Sequence, residues 1–358
     1  MKKILVVCAA ILTLHSLPLR AQEAEDAGST GVEFSIIPRL DLSTVPHNRD
    51  WDFTLGNSSL YTLFEGNITE NLSFSVANHW MSFYDTKPFF DDTKALYDHT
   101  FWHSDTNNWL DMAYLTYETG PWTFTLGKNA MLTGGFEYDA YDWEIHPTLA
   151  SSFWNSFQCY QWGGRVGYTF LEDQTLSLEV ATSPYGERPF SSGLYALSAG
   201  WDGTFGLIST KWSYSAIQRE ENDWDHLFYL GTRFEADHLN LTLDLSNRVG
   251  DEYLVMKKGF SAHFSMGFPF SDRFEAIAKI GMEDFEHIVD NNLYYEDHTE
   301  YHGAAKVEYE AEWITGLALH WFPLRDSQNL RVHATAAYNS FIDAATLSIG
   351  VLYNLNLF

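Results

Sequence analysis

Between Leu132 and Ser156 four carboxylates, Glu137, Asp139, Asp142 and Glu144, stand among Phe136, Tyr138, Tyr141, Trp143 and Trp154, and the stretch holds no Lys or Arg. A wall built of these residues would show negative charge to a passing solute. A second set is cationic: Arg165, Lys211, Arg233, Lys279, Lys306 and Arg331, each on the polar parity of an otherwise alternating segment. Facing one another across water, the two sets would create a transverse field; alone, the cations would make a ladder for anions. Glu179, Asp244, Glu275, Glu308 and Glu310 share the cations' parity, which argues against a clean ladder. Lys128 instead shares the parity of Trp122, Phe124 and Leu126 and is not assigned to the polar face.

Covalent chemistry is not indicated. Gly-x-Ser-x-Gly, His-Glu-x-x-His, the phosphate-cradling loop and the dinucleotide fingerprint are all absent, so neither an enzyme nor a cofactor is expected. Further acids gather at Asp85, Asp91, Asp92, Asp98 and Asp105, at Glu220, Glu221, Asp223 and Asp225, and from Glu283 to Glu300 with His287 and His298. None has strict ligand spacing, so no metal is expected there either.

The elements that must position these charges are strands. From residue 31 onward, segments of about ten residues alternate apolar and polar, as in Leu239, Leu241, Leu243 and Leu245 against Asn240, Thr242, Asp244 and Ser246. Tight connections are expected at 69–71, 119–121, 171–174, 202–204, 237–238, 269–272 and 323–329. Longer polar ones fall near 42–51, 84–106, 132–156, 184–193, 218–226, 249–256, 284–300 and 339–343. Short turns on one rim and long loops on the other are the layout of a transmembrane barrel. Counting through them gives an all-β antiparallel barrel of about sixteen strands over 31–358, with short periplasmic turns and long external loops. Strands are expected at 194–201 and 205–217, and the segment 304–322 is taken as one strand although Ile314-Thr315-Gly316 could turn. The acidic stretch then joins the fifth and sixth strands, and folded inward it would narrow the lumen.

Aromatic residues crowd the tight connections: Tyr117 and Trp122, Tyr168 and Phe170, Trp201 and Phe205, Phe268, Phe270 and Phe274, Trp321 and Phe322. Rings of this kind favour the membrane interface and make a girdle at the periplasmic rim. A soluble β-sandwich is the competing architecture, but its strands usually run about five or six residues.

Residues 1–21 read as a cleavable export signal, from the cationic Met1-Lys2-Lys3 through an apolar run to Leu19-Arg20-Ala21, and 22–30 as a flexible segment. Removing 1–21 takes Lys2, Lys3 and Arg20 from the 21 cations and no acid from the 48, so 18 minus 48 leaves a net charge of −30. Such an excess argues against nucleic acid as a partner. Cys159 is then the one remaining cysteine, read as a small apolar residue and unable to form an internal disulfide.

Two stretches carry a resemblance. The chain ends Leu347-Ser348-Ile349-Gly350-Val351-Leu352-Tyr353-Asn354-Leu355-Asn356-Leu357-Phe358, which resembles the terminal recognition signal of outer-membrane barrels, with Phe358 out of register with the lipid-facing odd positions. The run Ala113 to Tyr117, Gly120 to Lys128 and Gly134 to Asp139 is similar to the matching hairpin and loop entry of the phosphate-selective porin O and P family. That resemblance implies a trimeric, anion-preferring, sixteen-stranded pore in the outer membrane. The expected partners are outer-membrane lipid, small hydrophilic solutes or ions such as phosphate, the barrel-assembly machinery acting on the last strand, and two further copies of the chain. The competing function is a binding or adhesion barrel with a blocked lumen that recognises a glycan or host ligand through its acidic aromatic loops.

Overall fold

A sheet with one face that water rejects and one that it accepts can satisfy both by closing on itself, apolar side outward into lipid. The computed structural model describes residues 31–47, 50–55, 58–82, 110–138, 144–151, 159–186, 192–249, 259–289, 306–340 and 344–357, and there the sheet does close. Its strands are β1 (Val32–His47), β2 (Asp50–Thr54), β3 (Ser59–Thr69), β4 (Leu72–Ser82), β5 (Met112–Thr119), β6 (Trp122–Ala130), β7 (Tyr160–Leu171), β8 (Gln174–Thr182) and β9 (Tyr195–Phe205). They continue with β10 (Ile208–Glu220), β11 (Asp223–Ala236), β12 (Leu239–Val249), β13 (Phe260–Ser271), β14 (Phe274–Val289), β15 (Lys306–Trp321), β16 (Leu330–Asn339), β17 (Ala344–Tyr353) and β18 (Leu355–Asn356).

β2 and β3 are two parts of one wall strand, both paired with β1. β17 and β18 are likewise two parts of the last strand, and both pair with β1 to close the ring. The wall therefore has sixteen strands, each antiparallel to its neighbours. The segment that could have hidden a turn does not: β15 pairs with β14 without interruption from Phe274↔Trp321 to Val289↔Lys306.

Side chains divide as the alternation demands. Leu126, Leu178, Val180, Leu197, Leu319 and Ile349 are exposed on the outside. Glu179, Ser198, Asp244, His263, Glu283 and His333 are buried on the inside. Rings line the outside of the tight-turn rim, with Trp122 against Tyr168 at 4.6 Å and Trp201 against Phe205 at 5.9 Å.

Four expectations need correction. The turn between β9 and β10 is at Gly206-Leu207 rather than 202–204, because Gly206 at φ 63° supplies the left-handed residue while Gly203 stays in the strand, under the Gln174 side chain. The connection expected near 218–226 is a tight hairpin, with Asn222 at φ 71° between Glu220 and Asp223. Within the stretch 42–51, residues 42–47 and 50–51 are strand, because Ser43 to His47 pair with Asp50 to Thr54. Phe322 leaves the girdle: it is buried, edge-on to His320 with centroids 6.1 Å apart, since the chain leaves the strand at Trp321. The segments 1–21 and 22–30, and Phe358, lie outside the described residues.

Candidate functional site: a loop against the inner wall

The described residues of the connection from β6 to β7, 131–138, 144–151 and 159, meet the inner wall of the barrel, and 132–137 are held through their main-chain groups. Leu132 N–H donates to Glu179 Oε1 at 2.9 Å, and Gly135 N–H donates to the Lys211 carbonyl at 3.1 Å. Ser215 Oγ donates to the Leu132 carbonyl at 3.0 Å and Ser213 Oγ to that of Thr133. Asp244 takes two amides, Phe136 N–H at 3.0 Å and Glu137 N–H at 3.1 Å. A buried carboxylate accepting backbone N–H groups satisfies donors that a loop away from water would otherwise leave unpaired. The approach is close because Gly135, at φ 80°, has no Cβ; one added there would stand 1.9 Å from the Tyr229 ring. Apolar contact adds to the seat, with Met131 and Tyr138 packed against Ala196, Ile217, Leu227 and Tyr229, all buried.

The second half, which includes the 3-10 turn Pro147–Leu149, reaches the far side of the wall. Arg39 Nη2 donates to the Ile145 carbonyl at 2.5 Å. His146 Nε2 lies 2.6 Å from His320 Nε2, and Thr148 Oγ1 lies 2.8 Å from Thr335 Oγ1. Leu149 packs on Ala318 and Ala337, over Gly316, where an added Cβ would meet its Cδ2 at 2.2 Å. Lys279 Nζ joins the two halves, donating to Glu137 Oε1 at 2.7 Å and to the Leu149 carbonyl at 2.8 Å, while Ser151 N–H donates to the same Glu137 oxygen at 2.8 Å. Burial resists ionisation of Glu137, but Lys279 and His263 outweigh it and hold the carboxyl at about 2. A cavity of about 200 Å³ remains between the loop and β11 to β14, lined by Phe136, Glu137, Glu144, Arg233 and Lys279 among others.

No protein-family model matches the chain, and no curated protein matches it by sequence. Solved structures do match. A variant of the porin of Rhodopseudomonas blastica superposes with a TM-score of 0.57 at 13% identity, over 91% of this chain and 100% of the other. A loop-deletion variant of OmpT, an outer membrane protein of Vibrio cholerae, superposes with a TM-score of 0.54 at 13% identity, over 92% and 100%. The fold is that of a porin.

Glu137 is ion-paired with Lys279 rather than facing it across open water, because the loop lies against β14. Glu144 is exposed, and Asp139 and Asp142 lie outside the described residues. Arg165 is on the inner face and ion-paired with Glu179 at 2.6 Å. Arg233 stacks on the Phe136 ring, 4.0 Å from its centroid, and Lys211 stands 6.0 Å from the same ring and 3.8 Å from Asp202. Arg331 is on β16, near Arg39 and Asp41; the Lys306 side chain lies outside the described residues. Lys128 is buried and donates to the Leu110 carbonyl. Cys159 packs against two apolar clusters.

Residues that sequence reasoning passed over do much of the holding. Glu179 and Asp244, inward by parity, serve as amide acceptors for the loop, a role that parity does not show. His146, His320 and His333 gather at the loop's far end, the first two separated by 174 residues in sequence. The inward parity of His320 and His333 was visible in the alternation, but nothing local ties His146 to either.

Proposed function

We propose that this protein is an outer-membrane porin, a water-filled channel for passive diffusion of small hydrophilic solutes or ions, anions such as phosphate among them. The observation that carries the reading is that residues 132–137 and 144–149 of the β6 to β7 connection lie against the inside of a closed sixteen-stranded wall, the place where a loop can narrow a lumen. The apolar outer face supports outer-membrane lipid as its solvent. Export by residues 1–21, recognition of the last strand by the assembly machinery, and a homotrimer belong to the same proposal. In it, Glu137, Asp139, Asp142 and Glu144 form the acidic side of the constriction, and Arg165, Lys211, Arg233, Lys279, Lys306 and Arg331 the cationic side. The likeness of 113–139 to the phosphate-selective porins favours anions.

The test is the reversal potential of the purified protein in a planar bilayer under a salt gradient. Discrete conductance steps support the porin; anion preference gives the selective role to the Arg and Lys set, and cation preference gives it to the acids. A second reading, a binding barrel with a blocked lumen, is favoured by the apolar cluster of Ile37, Tyr61, Ala77, Met112 and Tyr160 on the inner side. Absence of conductance from folded protein would decide for it.

A further inference from the structure

The two halves of the loop are fixed by groups that answer differently to protons. Residues 132–137 rest on the carboxylates of Glu179 and Asp244 and on the ion pair of Glu137 with Lys279. Residues 145–149 have, beside the Arg39, Thr335 and Lys279 bonds already described, a hold that titrates near neutrality, a chain of imidazoles. Glu275 Oε2 lies 2.9 Å from His320 Nδ1, and His320 Nε2 lies 2.6 Å from His146 Nε2. A carboxylate at Nδ1 draws the N–H there, so His320 Nε2 is the acceptor and His146 Nε2 the donor. One added proton can be carried by reversing that bond. A second cannot, because both rings would then present N–H to each other.

The surroundings make the second proton costly. Around His146 stand His320 from β15, Arg331 and His333 from β16 and Arg39 from β1, while Glu275 from β14 is bonded to His320, Asp41 from β1 to His333, and Glu144 acts on Arg331 from the loop itself. Glu137, Lys279, Arg233, Asp244 and His263 line the cavity beside it. Asp41 is already engaged, bonded to His333 Nε2 and 3.4 Å from Arg39 Nε. Glu275 serves His320. Burial, and then Arg331 and His333, push His146 well below the ordinary imidazole value. The seat therefore holds the neutral ring: its contribution is complete above about pH 6.5 and is lost as pH falls below that value. Glu137, held at about 2, contributes fully above about pH 4.5 and loses its contribution only as pH falls toward its own value.

We propose that His146, His320 and Glu275 form a proton-sensitive latch: acidification removes the imidazole hold and loosens residues 144–149 against the inner wall while residues 132–137 stay seated. The consequence for current rests on the porin reading; the release itself does not.

Amide hydrogen exchange of the full chain in detergent micelles, at about pH 7.5 and about pH 5, reads the release without requiring conductance. The quantity is the protection of 145–151 relative to that of 132–137, which cancels the intrinsic pH dependence of exchange. The expected result is a fall of roughly tenfold or more on acidification, one factor of ten per pH unit below the controlling value. Planar-bilayer currents should gain brief interruptions over the same range. His146→Gln keeps an amide that can donate to or accept from His320 but does not titrate, so its ratio should stay constant; His320→Gln serves as the alternative if that variant fails to fold. Equal loss of protection at both halves, no change in the wild type, or an unchanged acid response in the Gln variant overturns the latch. A barrel that never conducts while its exchange ratio falls would sink the porin reading and leave the latch standing.

Discussion

Gly135→Ala should unseat the loop. Two effects add at this position. The φ of 80° is one that an L side chain rarely adopts, worth about 1–2 kcal/mol of strain. The new Cβ would also stand 1.9 Å from Tyr229 Cε1, and Tyr229 is only 1% exposed with buried neighbours on every side. Relieving that overlap by overpacking costs about 1–3 kcal/mol. Together they amount to about 2–5 kcal/mol, a shift of roughly thirty- to several-thousand-fold in the ratio of seated to unseated loop. The assay is amide exchange at 132–137 together with single-channel noise, since a loop adrift in the lumen should interrupt current. Two comparisons separate the causes. Gly120→Ala, in the turn between β5 and β6, carries strain at φ 56° but meets nothing within 4 Å and lies outside the loop, so it should leave protection at 132–137 unchanged. Gly135→Ala combined with Tyr229→Ala should regain the steric part relative to the Tyr229 single variant, showing coupling between the two sites. Wild-type protection in Gly135→Ala would refute the reasoning, as would a loss no greater than that of Gly120→Ala.

Other outcomes follow from the same contacts. Lys279→Met leaves Glu137 buried with its countercharge gone, and should loosen the loop by about 3–5 kcal/mol in exchange or denaturant titration, while adding Glu137→Gln recovers much of the loss. The loop's protection at 132–137 should hold down to about pH 4.5 and decline as pH falls toward the Glu137 value of about 2, measured against the protection of β12. Leu178→Arg, on an outer face where Leu178 is 61% exposed, should cost about 2–4 kcal/mol for refolding into lipid vesicles, and a change near zero would show that this face does not meet hydrocarbon. Glu179→Gln removes the charge paired with Arg165 but keeps an acceptor for Leu132 N–H, so it should move the reversal potential toward anions without loss of loop protection.

Much of the wall was legible in the chain because its cause is local. Alternation of period two tells each residue which side it takes, and Leu239 to Ser246 is split in the structure as it is split in the sequence. Turn positions were less legible, since a Gly can turn a chain or lie flat in a strand: Gly206 does the first and Gly203 the second. The unbroken run of β15 was likewise settled by its partner β14, whose register leaves no residue over. Where the acidic loop would go was inferred from the strand count, but how it is held was not. Its seat is made of meetings across more than a hundred residues, such as Phe136 with Asp244, Glu137 with Lys279 and His146 with His320. Sequence alone determined which residues of each strand take the greasy side and which the wet side, because hydration acts on each residue in its own strand. Only the tertiary structure decided which inward charges face water and which serve the loop, because that depends on which distant side chain arrives opposite each one when the ring closes.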